Sequence, residues 1–566
     1  MGILGAVFVI RLFFLQVVLH DHYEAEANRE HVSKFAIVAK RGQIYAHDGK
    51  NNYAAMVLNE PTYLVFADPR FVKDHEKVEN TLRRIAGGNL VEKFEEGLRD
   101  EKRQYVVVAR GLNKSQADLL KKEKLESQGV GLQESEKRVY PENQLAAQVL
   151  GFVNGEGHGQ YGIEEGMDND LSGKDGQLKA ITDVHGIPIS IGPESVQTPP
   201  QNGKNLVLTI DRNIQNKVEQ ALKSGLERSK ATKGSIVVMD PNNGKILAMA
   251  NAPTYNPNDY AKTSDYTLFQ NRIVSDPYEP GSVIKALTMG IGLNEGKIQP
   301  GTTYNNTGSL KIDDATIRNV LTSPTGQVSM TQVLLYSFNT GAVWVLQQLG
   351  GSGEINAAAK EKLYGYFTRQ YLFGERTGIE LAGEAKGIVL KPDASNVTYA
   401  NMTFGQGVNM SMLQVAGAFS AAINDGVYYV PQVVDGYLDD AKNYVDKAPH
   451  VKKSDVISPD ASAKLRQMLH EARVGGPVAA GEKKGYYTGG KTGTAEVYDP
   501  KTGRYDEKAT IGSYLGFGGQ DRPQYVIMVR VDDATIAGYS GSAAAAPIFT
   551  DISNWMLDYL QIAPKG

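Results

Sequence analysis

The chain begins with an apolar stretch, Met1–Leu19, that contains only two polar side chains, Arg11 and Gln16. About 20 apolar residues suffice for a helix to span a bilayer, so we predict a membrane-anchoring helix over 1–19. Arg11 is expected near one interface, because a charge at the bilayer centre is costly. A cleaved signal peptide with a small-x-small site at Ala25–Ala27 and a buried helix are the alternatives. No basic residue precedes the stretch, so we expect the natural chain to carry a short additional cytoplasmic tail.

Mixed apolar and polar patterns follow this stretch. Short apolar runs predict strands over Thr62–Phe66 and Tyr105–Val108, and a charge-rich helical pattern covers Lys114–Leu125. The segment Gly186–Lys204 is rich in Pro, Gly and Ser. That composition predicts a linker between two domains.

Beyond residue 204 the pattern changes to short apolar strands and helices. Asp211 is a suitable N-cap for a helix that extends to about Arg228. Paired apolar runs flank the turn segments Asp240–Gly244 and Gly519–Pro523, and each pair predicts a β-hairpin. A last helix is expected over Pro547–Ile562. Together these elements predict an antiparallel sheet with the terminal helices on one face.

The composition narrows the possible chemistry. A length of 566 residues indicates two or three domains. The 60 basic and 64 acidic residues leave a formal charge of −4, which is too balanced for a general nucleic-acid binder. The chain has no cysteine, which excludes cysteine nucleophiles, disulfides, iron–sulfur clusters and cysteine-based zinc sites. The 9 histidines show no metal-binding spacing.

Ser282 and Lys285 are the first residues whose types and spacing suggest catalysis. Pro280-Gly281 interrupts the chain, and the apolar positions after it have helical periodicity. Lys285 then lies on the same helical face as Ser282, one turn later. A desolvated, neutral lysine at that position activates the serine as a nucleophile by accepting its proton. Because Ser-x-x-Lys alone is a weak pattern, a solvated helix face is the alternative.

Ser337 and Asn339 form a second candidate pair, at a polar break between two predicted helices. Ser and Asn are also good helix caps, which is the alternative explanation. As catalytic groups, Ser337 would pass a proton, and the Asn339 amide would bond a substrate carbonyl or the catalytic lysine.

Lys491-Thr492-Gly493 is the third candidate, within a predicted strand over Tyr487–Val497. Lys491 offers a point charge for a carboxylate, and Thr492 and Thr494 offer hydroxyl groups. Residues 485–492 formally match a P-loop. A P-loop needs an apolar strand before it and a helix after it, and neither pattern is present.

The ordered set Ser-x-x-Lys, Ser-x-Asn, Lys-Thr-Gly resembles the penicillin-binding protein and serine β-lactamase superfamily. Further local segments are similar to those of the class B, monofunctional penicillin-binding proteins: Tyr278–Ser282, Phe404–Gly407, Lys491–Ala495, Arg41–Tyr45, Arg138–Pro141 and Tyr161–Glu164. The middle residue of Ser-x-Asn, Phe338, departs from the small residues frequent there and is expected to narrow the pocket.

This resemblance implies a multidomain α+β fold. Its transpeptidase domain, over 204–566, would combine a five-stranded antiparallel sheet flanked by helices with an all-helical subdomain. An elongated mixed α/β pedestal or dimerisation domain with its linker would occupy 20–203, after the membrane helix at 1–19. The catalytic domain would lie on the extracytoplasmic side of the cytoplasmic membrane, anchored by this single pass.

The resemblance also implies an activity, a peptidoglycan D,D-transpeptidase of the septal type that forms an acyl-enzyme. Ser282 would attack the D-Ala-D-Ala end of a donor stem pentapeptide, with Lys285 as its base, and an amine of an acceptor stem would receive the acyl group. The implied roles of the remaining residues are proton relay by Ser337 and Lys491, donor holding by Asn339, binding of the terminal carboxylate by Thr492 and Thr494, and further substrate binding at Gly493. The backbone N–H groups of Ser282 and Thr494 would form an oxyanion hole.

The implied partners are the two stem peptides, β-lactams that acylate Ser282, a membrane glycosyltransferase, and other cell-division or elongation proteins. No metal, organic cofactor or nucleic acid is implied. The alternatives are a side-wall elongation transpeptidase, a serine β-lactamase, and a non-catalytic β-lactam sensor or division-complex scaffold on the same fold.

Overall fold

A computed structural model describes residues 2–20, 32–50, 52–103, 105–181, 196–321, 323–439, 441, 443–499, 504–535 and 541–565. The segment Ala25–Ala27 and residues 186–195 of the predicted linker lie outside these described residues. The first helix covers Gly2–Phe13 and continues into a π-helical turn over Phe14–Val18. Among the helices in the described part of the chain, none combines the length and apolar character that a membrane span requires.

The strands in the described residues are β1 (Val32–Ile37), β2 (Ile44–His47), β3 (Tyr53–Ala67), β4 (Val106–Leu112), β5 (Val130–Val139), β6 (Phe152–Val153), β7 (Gly159–Gln160), β8 (Gly176–Ile181), β9 (Val196–Thr198), β10 (Asn205–Asp211), β11 (Lys233–Met239), β12 (Ile246–Ala252), β13 (Thr303–Asn306), β14 (Ser309–Ile312), β15 (Ala315–Arg318), β16 (Gly326–Ser329), β17 (Tyr428–Tyr429), β18 (Val434–Leu438), β19 (Tyr444–Asp446), β20 (Val451–Lys453), β21 (Gly489–Asp499), β22 (Arg504–Gly519) and β23 (Pro523–Asp532).

The α-helices are α1 (Gly2–Phe13), α2 (His75–Ala86), α3 (Phe94–Leu98), α4 (Lys114–Lys122), α5 (Ala147–Leu150), α6 (Gly162–Gly166), α7 (Asp168–Ser172), α8 (Arg212–Ser229), α9 (Arg272–Ser275), α10 (Ile284–Asn294), α11 (Met330–Tyr336), α12 (Asn339–Leu349), α13 (Ala357–Gly365), α14 (Asn396–Met402), α15 (Met412–Ile423), α16 (Pro459–Val474) and α17 (Ala546–Tyr559).

The chain folds into two compact units, each built from several segments. The first comprises Met1–Gln43, Val57–Val139 and Asn169–Lys204. In it, β3 pairs antiparallel with both β4 and β5, and β8 pairs with β1 and β9. Apolar side chains of α2 and α4 pack with β3, β4 and β5 in one buried cluster.

The second unit comprises Ile44–Met56, Tyr140–Asp168 and Asn205–Gly566. Its centre is a five-stranded antiparallel sheet in the order β12-β11-β23-β22-β21. Helices α8 and α17 pack on this sheet in a common apolar cluster, and α10, α15 and α16 pack together in the same unit. The predicted antiparallel sheet with the terminal helices on one face is thus confirmed.

The predicted boundaries in this unit are close to those observed. Asp211 caps α8 by accepting hydrogen bonds from the N–H groups of Asn213 and Ile214. Both predicted hairpins form, as β11–β12 and β22–β23. The last helix ends at Tyr559 rather than at Ile562.

The expectation of an all-helical subdomain is wrong, because two β-hairpins lie among its helices. One pairs β13 with β16, and the other pairs β14 with β15. Alternating apolar and polar residues over 309–318, with a two-residue turn at Asp313-Asp314, favour strands over helix for the second hairpin.

Candidate active site

Ser282 and Lys285 face each other across one helical turn. Ser282 lies in a 3₁₀ turn, Gly281–Val283, that leads directly into α10. Lys285 is fully buried, and its Nζ lies 3.0 Å from the Oγ of Ser282. Ser282 itself remains half-buried. The helix thus places a solvent-shielded amine beside a hydroxyl that a substrate can reach.

The backbone before Ser282 adopts a conformation that only glycine takes without strain. Gly281 has φ +62°, and it donates a hydrogen bond to the carbonyl of Gly405 at 3.1 Å. A Cβ at Gly405 would overlap the Gly281 carbonyl. Glu279 fixes the same loop by accepting a hydrogen bond from the N–H of Gly407 at 2.8 Å. The Phe404–Gly407 loop therefore supports the turn that presents Ser282.

The break between α11 and α12 brings Ser337 and Asn339 to the same amine. Ser337 has a left-handed backbone, φ +58°, which ends α11. Lys285 Nζ lies 2.6 Å from the Ser337 carbonyl, 3.1 Å from the Ser337 Oγ and 2.7 Å from the Asn339 Oδ1. The contact with the catalytic lysine, one of the two predicted for the Asn339 amide, is therefore present and uses the amide oxygen.

Phe338 does not narrow the pocket. Its side chain is fully buried and stacks on Tyr336, with the ring centroids 5.5 Å apart. The left-handed turn at Ser337 directs the two polar side chains toward Lys285, while the ring between them packs inward. An aromatic residue at this position therefore serves packing.

Burial lowers the pKa of Lys285 well below its ordinary value, and the nearby charge of Lys491 lowers it further. Burial also lowers the pKa of Lys491, to about 7. A neutral Lys285 is able to accept a proton from Ser282. When Lys491 is protonated, its charge disfavours a proton on Lys285 and attracts an anion.

The Lys-Thr-Gly segment lies on β21, the terminal strand in the order of the five-stranded sheet. Lys491 is buried and donates to the carbonyl and Oγ1 of its neighbour Thr492, whereas Thr494 is exposed. A Cβ at Gly281 would come within 2.8 Å of the Thr494 carbonyl. The backbones of Thr494 and the Ser282 turn are thus adjacent, as a shared oxyanion hole requires.

Gly493 shows why this strand needs a residue without a side chain. A Cβ there would come within 3.0 Å of the Pro280 carbonyl and of the Val283 side chain. The glycine lets β21 run directly against the serine turn. The structure therefore brings all the predicted site residues to one place.

Sequence reasoning missed one polar contact in this site. The Nδ2 of Asn339 donates to the backbone carbonyl of Arg318 at 2.8 Å. The contact uses a main-chain atom from β15, so no side-chain motif signals it. The signal available was the alternating pattern of 309–318, which predicts a hairpin but not its position.

Two family models of penicillin-binding protein domains match this chain. The penicillin binding protein transpeptidase domain matches residues 234–554, and the penicillin-binding protein dimerisation domain matches residues 36–208. Stage V sporulation protein D of Bacillus subtilis is 30% identical over 98% of this chain and 84% of its own length. The probable peptidoglycan D,D-transpeptidase PenA of Neisseria gonorrhoeae is 29% identical over 100% of this chain and 92% of its own.

A solved structure has the same architecture. Penicillin binding protein 3 from Mycobacterium tuberculosis, complexed with aztreonam, matches with a TM-score of 0.70 and 26% sequence identity. The match covers 94% of this chain and 98% of that one.

Proposed function

Because the chain belongs to the class B penicillin-binding proteins, a family of peptidoglycan D,D-transpeptidases, we propose that it works through an acyl-enzyme on Ser282. The observation that carries this proposal is the distance of 3.0 Å between the Ser282 Oγ and the fully buried Nζ of Lys285. A buried amine with a lowered pKa is a suitable base for a serine nucleophile.

In the first step, the Ser282 Oγ attacks the carbonyl carbon of the penultimate D-Ala, and its proton passes to Lys285. The peptide bond to the terminal D-Ala then breaks, and the leaving amine takes up that proton through Ser337, whose Oγ lies 3.1 Å from Lys285 Nζ. An ester on Ser282 remains. An amine of the acceptor stem attacks the ester, forms the new peptide bond, and returns a proton to Ser282.

In this proposal, the remaining site residues bind the negatively charged groups of the substrate. Lys491, Thr492, Gly493 and Thr494 receive the terminal carboxylate along β21, and Lys491 shares the proton relay with Ser337. The backbone N–H groups of Ser282 and Thr494 stabilise the oxyanion. A β-lactam would acylate Ser282 by the same first step, with its ring amide in place of the peptide bond.

We further propose that the protein is anchored in the cytoplasmic membrane and acts in septal synthesis. The anchor is supported by the apolar side chains of α1, of which Val7, Phe8 and Ile10 are 60%, 69% and 67% exposed. The septal role, with a membrane glycosyltransferase and other division proteins as partners, rests on the resemblance of Tyr278–Ser282 and Lys491–Tyr505 to the septal type. Localisation of a tagged copy to the side wall would favour elongation instead.

Transfer to an amine is the experiment that tests the activity. The purified full chain is given a peptide ending in D-Ala-D-Ala and an amine acceptor, and released D-Ala and cross-linked product are quantified. We expect both products, their loss in Ser282→Ala, and their retention in Ser264→Ala, which changes an exposed serine. Rapid hydrolysis of β-lactams without transfer would indicate a β-lactamase, and acylation without transfer would indicate a sensor or scaffold.

A further inference from the structure

The hairpin β14–β15 has two chemically different faces. Its register pairs Ser309 with Arg318 and Lys311 with Thr316, so these four residues share one face because strand side chains alternate. The opposite face carries Ile312 and Ile317, which are buried in an apolar cluster with residues of α12 and α14. The first face is directed away from this cluster, and its two cations, Lys311 and Arg318, are exposed.

The hairpin is attached directly to the catalytic side chains. The Arg318 carbonyl accepts from Asn339 Nδ2 at 2.8 Å, Asn339 Oδ1 lies 2.7 Å from Lys285 Nζ, and that Nζ lies 3.0 Å from Ser282 Oγ. A chain of three hydrogen bonds therefore fixes the base of the hairpin relative to the nucleophile. The exposed face of the hairpin therefore includes a residue, Arg318, whose main chain is bonded to an active-site side chain.

The two cations have no anionic partner among the residues that the structure describes. Among the described residues, neither Lys311 nor Arg318 makes an ion pair or a side-chain hydrogen bond with another side chain. Two like charges on adjacent strands repel one another weakly. An arrangement that leaves both unpaired beside an active site favours an anionic ligand.

A cleft of about 200 Å³ opens at the Arg318 end of this face. Besides Arg318, its lining includes the hydroxyl-bearing residues Thr307, Ser309 and Thr325. A guanidinium with neighbouring hydroxyls suits a carboxylate, to which it donates two parallel hydrogen bonds.

We propose that the face of the hairpin carrying Lys311 and Arg318 binds a second carboxylate of the peptide substrate, distinct from the terminal carboxylate at the scissile bond. The ligand is a peptide stem with an anionic group upstream of its reacting end. Both the donor and the acceptor stem are possible sources of that group. This inference rests on the proposed transpeptidase function and adds to it a determinant of substrate specificity.

Paired substrates test the proposal. Donor peptides ending in D-Ala-D-Ala, and separately amine acceptor peptides, are prepared with one internal carboxylate or with the corresponding primary amide. KM and kcat are measured for the full chain, for Arg318→Gln and for Lys311→Gln. Arg228→Gln, which neutralises an exposed arginine on α8, is the matched control. Because Arg318 contacts Asn339 through its carbonyl, the glutamine variant keeps that hydrogen bond.

We expect the unmodified chain to prefer the acid by about tenfold in KM, as expected for a charge-assisted hydrogen bond. Arg318→Gln should remove this preference by raising the KM of the acid peptide and not that of the amide peptide. Arg228→Gln should leave the preference unchanged. A preference in the donor pair identifies the donor as the source, and one in the acceptor pair identifies the acceptor. Equal effects on acid and amide, or no preference in either pair, would overturn the proposal, as would slower acylation of Arg318→Gln by penicillin.

Equilibrium binding of the same acid and amide peptides to Ser282→Ala separates this inference from the proposed function, because binding needs no chemistry. If the acid is preferred but the unmodified chain is never acylated, the transpeptidase proposal fails and the carboxylate site stands. If acylation and transfer occur without any preference for the acid, only the carboxylate site fails.

Discussion

Lys285 depends on its neighbours for both its position and its protonation state. Ser337 and Asn339 hold its Nζ at distances of 2.6–3.1 Å, and burial lowers its pKa. All the acceptors around it are neutral. Neutral acceptors orient the amine without adding a negative charge that would stabilise its charged form. This role can be tested by changing one of these acceptors.

Asn339→Asp keeps the shape of that partner but places a carboxylate 2.7 Å from the amine. The added negative charge should raise the pKa of Lys285, so that a larger fraction is protonated and unable to act as a base at neutral pH. We expect acylation by a fluorescent penicillin to slow by about tenfold or more, and its rise with pH to move to higher pH. Time courses of penicillin labelling at a series of pH values measure both the acylation rate and its dependence on pH.

Asn305→Asp is the control, since it introduces the same charge at an exposed position of β13. This variant should leave the acylation rate and its pH profile unchanged. An Asn339→Asp profile that coincides with that of the unmodified chain would contradict the assigned role of Asn339.

Residue-scale chemistry was largely predictable, because the Ser282–Lys285 pair depends on helical spacing alone. The orientation of Phe338 was not, since it follows from a left-handed residue at Ser337 that has a side chain and so gives no glycine-like signal. The contact from Asn339 to the Arg318 carbonyl also escaped prediction, because it joins residues from different elements through the main chain.

At the scale of elements, the site depends on β21 lying against the turn before α10. Gly281 is the point of closest approach, with a hypothetical Cβ 2.8 Å from the Thr494 carbonyl. Gly296, two residues beyond the end of α10, offers a matched comparison. It has nearly the same backbone, φ +63° against φ +62°, but no atom lies within 4 Å of its hypothetical Cβ.

Gly296→Ala should therefore cost only the strain of a left-handed alanine, about 1–2 kcal/mol of unfolding free energy. Gly281→Ala should cost about 2–4 kcal/mol, because the overlap with β21 adds to that strain. It should also slow acylation of Ser282, whereas Gly296→Ala should not. Urea denaturation and penicillin labelling measure the two effects. Equal losses of stability and unchanged labelling in both variants would show that the approach of β21 is unimportant.

The element boundaries of the sheet were predictable because hairpin turns and the cap at Asp211 carry local signals. The hairpins β13–β16 and β14–β15 were missed although 309–318 alternates. Which face of β14–β15 would be buried depends on its contacts with α12 and α14, and these follow only from the tertiary fold.

At the scale of the whole molecule, the two buried lysines couple stability to pH. The pKa of Lys491 in the folded chain is about 7, against an ordinary value of 10.5. Between these values the unfolded chain binds more protons than the folded chain, so the unfolding free energy rises with pH. The shift of Lys285 has the same direction and adds to the rise.

Lys491→Met should consequently be more stable than the unmodified chain near pH 7 and should show a smaller rise toward pH 10.5. The difference near neutrality should be a few kcal/mol, on the order expected for a shift of this size. Denaturant midpoints of both proteins across this range provide the measurement. An equally steep rise in both proteins would mean that Lys491 is not the group responsible.

The central claim is that Ser282 is the nucleophile, and mapping of a penicillin adduct tests it most directly. The full chain is incubated with penicillin, digested, and its peptides are identified by mass. We predict one adduct, on the peptide that contains Ser282, absent from Ser282→Ala and present in Ser264→Ala. An adduct on another residue, an adduct that persists in Ser282→Ala, or no adduct at all would contradict the account.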